Sequence, residues 1–121
     1  MRQWLVDPKL LCSKHLYGEH VEHHMFVGSI NKGVSVDGYI WRGLLCPELL
    51  HQRHEELVEE ILRRGGNHKS PLPSIDWEMY ARNNRYETST NLIDVKGNLQ
   101  ELQRRCEVCR GLQEEGNNER E

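Results

Sequence analysis

The amino group of Met1 and the glutamates that follow it are the first groups in this chain that could do covalent chemistry. An α-amine titrates about two units below a lysine side chain, so a useful fraction is free base at neutral pH. The free base can attack an electrophilic carbon and form a Schiff base. Arg2 follows Met1, and an initiator methionine is normally removed only before a small residue, so Met1 is expected to stay and to carry that amine. The amine becomes informative only if a carboxylate is brought to it.

Histidines and cysteines supply a different chemistry. The chain holds 7 histidines, with His15, His20, His23 and His24 in one stretch and His51 and His54 in another. His20 and His24 are four apart and share a helix face. With His51 and His54 they could hold one metal between two helices. Against this, the chain has no HExxH, and these stretches contain a single Glu-x-x-His, Glu48 with His51. A polar seam between helices, satisfied by carboxylates and water, is the plainer expectation. The other flag is Cys106-Glu-Val-Cys109. A tetrahedral zinc site needs two more ligands, and Cys12 and Cys46 are isolated in sequence. Both cysteines of the pair also continue a leucine stripe, where small thiols fit as core residues.

The elements that must position these groups are helical. Asp7-Pro8 is a helix start, with Asp as cap and Pro in the first turn. A first helix is expected from there to about Asn31, with Leu16, Phe26, Val27 and Ile30 as its buried stripe and Gly33 as its stop. One helical turn is expected near Tyr39–Leu44. A second helix runs from Pro47 to about Arg64, with Leu50, His54, Leu57, Val58, Ile61 and Leu62 on one face and Gly65-Gly66 ending it. A short helix is possible within Ile75–Thr90. The last helix is expected over Leu92–Leu112, with the stripe Leu99, Leu102, Cys106, Cys109 and Leu112. Strand signals are nearly absent. The expected fold is all-α: a compact single domain, residues 1–113, of three main helices with long connecting loops. Residues 114–121 read as a polar, disordered tail.

Composition sets limits on function. The 121 residues are 36% hydrophobic and 29% charged, enough for one small core. No apolar run approaches the ~20 residues of a membrane span. The opening residues lack the apolar stretch of a secretory signal, which makes the cytoplasm the expected location. The net charge of -3 argues against gripping nucleic acid by bulk charge. The acids, however, concentrate in the second helix and the tail. Residues 1–45 carry Arg2, Lys9, Lys14, Lys32 and Arg42 against Asp7, Glu19, Glu22 and Asp37. DNA therefore stays open as a partner, with weak and salt-sensitive binding expected.

The stretch His15-Leu-Tyr-Gly-Glu19-His-Val-Glu22, followed by Phe26-Val-Gly28-Ser-Ile30, resembles the signature helix of the phage endonuclease V family. Those enzymes are pyrimidine-dimer DNA glycosylases with abasic-site lyase activity. Their helix reads His-Leu-x-x-Glu-x-x-Glu. The end of the second helix, Glu55 through Arg64-Gly65-Gly66-Asn67, is similar to the family's helix closing on Arg-Gly-x-Asn. The resemblance covers roughly residues 1–70.

This resemblance implies that the Met1 α-amine is the nucleophile and Glu22 the catalytic carboxylate, since Glu22 lies at the family's spacing from the amine. It implies that His15 and Glu19 sit beside the site and that Arg2 and Lys14 approach DNA. No metal or dissociable cofactor is required. The partner is damaged double-stranded DNA, the protein a monomer, and the setting the cytoplasm of a bacterial or phage-infected cell. Val21 and Met25 stand where the family flanks its glutamate with arginines, and the family's aromatic, lysine-bearing C-terminal segment is missing. A metal-binding helical protein using His20, His24, His51 and His54, or a catalytically inactive DNA-associated module, are the alternatives. Trp4 is expected as a core anchor, with stacking on a base as its alternative role.

Overall fold

The computed structural model describes every residue except Lys69, Arg120 and Glu121, and no side chain from Glu115 onward. Among the described residues there are six α-helices and no strand: α1 (Ser13–Asn31), α2 (Asp37–Trp41), α3 (Leu50–Arg63), α4 (Trp77–Asn83), α5 (Val95–Arg105) and α6 (Glu107–Glu119). Single 3-10 turns at Pro8–Leu10 and Pro47–Leu49 precede α1 and α3. Among the described residues, no helix is long and apolar enough to cross a membrane.

The all-α class holds, and the differences from expectation are local. Asp7 does cap a helical turn, accepting the Lys9 amide at 3.0 Å. That turn stops at Leu10, and α1 begins afresh at Ser13 with Cys12 as its N-cap. The last helix divides in two. Cys106 adopts extended backbone, φ -132° and ψ 107°, between α5 and α6. The expected domain boundary at residue 113 falls inside α6, whose backbone is helical to Glu119.

α1 and α3 pack side by side and form the axis of the molecule. Two apolar clusters lie at its ends. One gathers Phe26, Val27 and Ile30 of α1 with Ile40 of α2, Leu50 of α3 and Tyr80 of α4. The other gathers Trp4, Val6 and Leu11 of the N-terminal segment with Leu16 of α1, Leu57 and Ile61 of α3, Leu102 of α5 and Cys109 of α6. The expected α1 stripe is buried as read. On α3, Leu62 is 54% exposed and leaves the stripe. Trp4 is 5% exposed, a core anchor as expected.

Two backbone positions shape the chain around the second cluster. Gly43 turns at φ +72°, and a Cβ there would stand 2.7 Å from the Leu92 carbonyl oxygen. Only glycine lets these two loops touch. Leu5 is a non-glycine at φ 55°. That left-handed conformation costs roughly 1–2 kcal/mol, and the burial of Gln3, Trp4 and Val6 around it offsets the strain.

Candidate active site

Residues 2–4 are held from three sides. Gln3 is fully buried. Its amide donates to the Leu44 carbonyl at 2.7 Å, and its Oε1 accepts the Cys46 amide at 2.6 Å. Its Nε2 lies 3.3 Å from His23 Nε2. His23 Nδ1 in turn lies 2.8 Å from the Glu19 carbonyl oxygen. A carbonyl can only accept, so Nδ1 carries the proton and Nε2 accepts from Gln3. Burial pushes His23 down to about 3, which keeps the ring neutral in this role. On the third side, Asn98 of α5 donates to the Trp4 carbonyl at 2.9 Å and accepts from Arg2 Nη1 at 3.3 Å.

This anchoring brings the chain start to the middle of α1. The Arg2 amide, three bonds from the Met1 α-amine, donates to Glu22 Oε2 at 3.2 Å. Met1 and Glu22 line a cleft of about 330 Å³ together with Arg2, Lys14, His15 and Arg105. The Arg2 guanidinium lies 4.4 Å from the centre of the Trp4 ring, and Arg105 lies 5.4 Å from it. Burial, and then Arg105, push the Arg2 guanidinium below its ordinary value. Cations placed over an aromatic face and beside one another favour the arrival of an anion.

Glu19 plays a different part from Glu22. Its carboxylate is fully buried and takes both forks of Arg53 on α3, at 2.7 Å and 2.9 Å. Burial pushes its carboxyl above the ordinary value, against the pull of Arg53. Both glutamates line the cleft, but the Glu19 carboxylate is turned to Arg53 and ties α1 to α3 one turn away from Glu22. Arg53, Gln3, Asn98 and Arg105 escaped the sequence reading, and His23 was read only as one of the histidine group. Gln3 carries no motif, and the other three come from segments whose adjacency only packing creates.

The metal-ligand candidates fall into two groups. His20, His24 and His54 come together, but His51 is exposed on α3 and takes no part. The fourth histidine is His68, from the loop after α3. Within this group, Nε2 of all four rings is buried and meets no hydrogen-bonding protein group. The second group joins Cys106 and Cys109 to Cys12 and His15. Cys109 is buried in the second cluster and Cys106 packs against it, as the stripe reading expects, while both thiols also approach Cys12 and His15. The available signal was Cys12-x-x-His15, a second two-ligand spacing that matches the CxxC.

A family model described as pyrimidine dimer DNA glycosylase matches residues 1–74. No curated protein and no solved structure matches the chain. The matched segment takes in α1, α2, α3 and Met1, Arg2, Lys14, His15, Glu19 and Glu22.

Proposed function

The chain belongs to the pyrimidine dimer DNA glycosylase family, and from that premise we propose that it is a DNA glycosylase and abasic-site lyase acting on damaged pyrimidines in duplex DNA. In the chain that begins at Met1, the free α-amine attacks C1′ of the damaged nucleotide. The bond from C1′ to the base breaks, and the base leaves with the electron pair. The C1′–O4′ bond then opens, O4′ takes a proton, and an imine joins the amine to C1′. Loss of a proton from C2′ and departure of the 3′ phosphate complete a β-elimination. Glu22 stabilises the cationic sugar and carries the proton to O4′.

Arg2 and Lys14 meet the phosphates from the cleft rim, with Arg105 beside them. His15 forms part of the wall. Glu19 acts as a positioning residue: its bidentate bond to Arg53 holds the turn of α1 that presents Glu22. The observation that carries this reading is the 3.2 Å contact between the Arg2 amide and the Glu22 carboxylate, inside a cation-lined cleft.

Borohydride trapping on abasic-site duplex tests it, using chain whose first residue has been verified by mass spectrometry as unformylated Met1. A covalent protein–DNA adduct is expected. It should vanish when the amine is acetylated or extended by a tag, and fall by roughly 10²–10⁴ in Glu22→Gln, the span of general acid–base contributions. Absence of an adduct with a free amine overturns the proposal.

A further inference from the structure

We propose that Cys12, His15, Cys106 and Cys109 bind a zinc ion as a tetrahedral three-thiolate, one-imidazole site. The proposal rests on ligand geometry alone and stands whether or not the chain cleaves DNA. Cys12 Sγ lies 3.8 Å from Cys106 Sγ and 3.2 Å from His15 Nδ1, and Cys109 Sγ lies 3.6 Å from His15 Nδ1. Bond lengths of about 2.3 Å to sulfur and about 2.0–2.1 Å to nitrogen give tetrahedral edges of about 3.8 Å and about 3.5 Å. Three of the six edges thus stand near those lengths, and all four ligand atoms lie within 4.8 Å of one another.

The backbone is arranged for the same purpose. Cys12 is the N-cap of α1, and His15 is the third residue of that helix. Cys106 directly precedes α6, and Cys109 is its third residue. Two helix N-termini thus face each other, and each offers two ligands with the spacing of a knuckle. Helix N-termini favour thiolates. Cys12 makes no side-chain capping bond, which leaves its sulfur free to turn toward the ion. The Cys12 amide donates to Cys109 Sγ at 3.2 Å, and the Cys109 amide donates to Cys106 Sγ at 3.4 Å. Such N–H···S bonds orient metal-bound thiolates. The extended backbone of Cys106 allows the geometry, since it starts α6 anew and turns that helix end toward Cys12. Binding expels three thiol protons, and the ion with three thiolates and a neutral imidazole carries a formal charge of -1.

An independent observation carries a second site. His20 and His24 of α1, His54 of α3 and His68 point their ligand atoms together within 4.8 Å. His54 is fully buried, and all four Nε2 atoms are buried without a hydrogen-bond partner. Leaving buried polar groups unmade costs about 1–3 kcal/mol each, and a single cation satisfies all four. His54 Nδ1 lies 3.0 Å from the Glu55 carboxylate. That contact keeps the proton on Nδ1 and frees the Nε2 lone pair, as in carboxylate–histidine–zinc triads. We infer a divalent transition metal here too, with zinc favoured by a set of four imidazole ligands.

Metal analysis and native mass spectrometry of the full chain, purified without chelator, test both sites. About two zinc ions per chain are expected, falling to about one in Cys109→Ser and to about one in His54→Gln. A variant that does not fold leaves a second measurement on the wild type. Cobalt exchanged into the chain should give tetrahedral absorption bands together with thiolate-to-cobalt charge transfer from the cysteine site. Cobalt binding without charge transfer overturns the cysteine site. A single equivalent that disappears entirely in Cys109→Ser overturns the histidine site. A chain free of transition metals that also takes up no cobalt overturns both.

Discussion

Glu19 and Glu22 stand one turn apart on α1, yet their substitution should have opposite effects. Glu22 is half-buried at the cleft and accepts one backbone amide. Glu22→Gln should therefore change stability by less than about 1 kcal/mol while removing the trapped adduct. Glu19 neutralises the buried Arg53. Glu19→Ala strips that buried cation of its bidentate partner, leaves it only the Glu56 carboxylate at 3.2 Å, and should cost about 3 kcal/mol in denaturant unfolding, the lower end for breaking a buried pair. If the two variants unfold at the same midpoint, the separation of roles is wrong. The His-Leu-x-x-Glu-x-x-Glu pattern made His15, Glu19 and Glu22 legible in the sequence, but not the division of labour. Two glutamates three apart look alike until one of them meets an arginine 34 residues away. His68 was illegible for a related reason: it stands alone in a polar loop, and only the path of that loop delivers it to the other three rings.

At the scale of the element, α3 shows how a helix end holds the chain start. Glu60 accepts from Arg63 at 2.6 Å and from Arg64 at 2.7 Å. Arg64 then donates to the carbonyls of Pro8 and Leu11, at 3.1 Å and 2.6 Å. These arginines hold the Glu60 carboxyl below its ordinary value. A carboxyl depressed in the folded state adds stability that is present above its unfolded value near pH 4.3 and is lost as pH falls through the folded value. Acid unfolding of Glu60→Gln should therefore be flatter below about pH 4.3 than that of the wild type, with the difference in midpoint closing as pH falls. Equal slopes would dismiss this linkage.

Helix existence was largely readable, since α1 and α3 appear with the expected apolar faces and the short α2 and α4 fall near the expected turn and short helix, although α1 starts at Ser13 and α2 at Asp37. The break at Cys106 was not. Leu99, Leu102, Cys106, Cys109 and Leu112 keep the 3,4 rhythm of one helix, and no proline or glycine marks the break. Periodicity reports which residues face inward, and both a straight helix and a broken one satisfy it here.

Over the whole molecule, the charge of -3 conceals a local excess of cations at the cleft. Arg2 and Lys14 come from the first turns of the chain, and Arg105 from the end of α5. If these three meet phosphates, the affinity for duplex DNA should fall with salt at a log–log slope of about -2 to -3. Lys14→Ala should lower the magnitude of that slope by about one. A slope near zero would remove the cleft from the DNA interface. Arg105 could not be read from the sequence, because nothing in residues 92–112 resembles the family and the contact depends on α5 closing over the N-terminal segment.

That closure joins the two ends of the chain, with the Cys12 amide bonded to a sulfur 97 residues away. Contacts between such distant residues form late, since their loop entropy must be met before they contribute. Refolding should proceed from the α1–α3 pair, with α5, α6 and residues 2–4 docking afterwards as one event. The cleft is built from these late parts. A chain interrupted during synthesis before α5 would carry Glu22 on a formed helix, yet it would lack Asn98 and Arg105 to complete the cleft around it. On the proposed mechanism, competence for the chemistry would be deferred until the last helices are made.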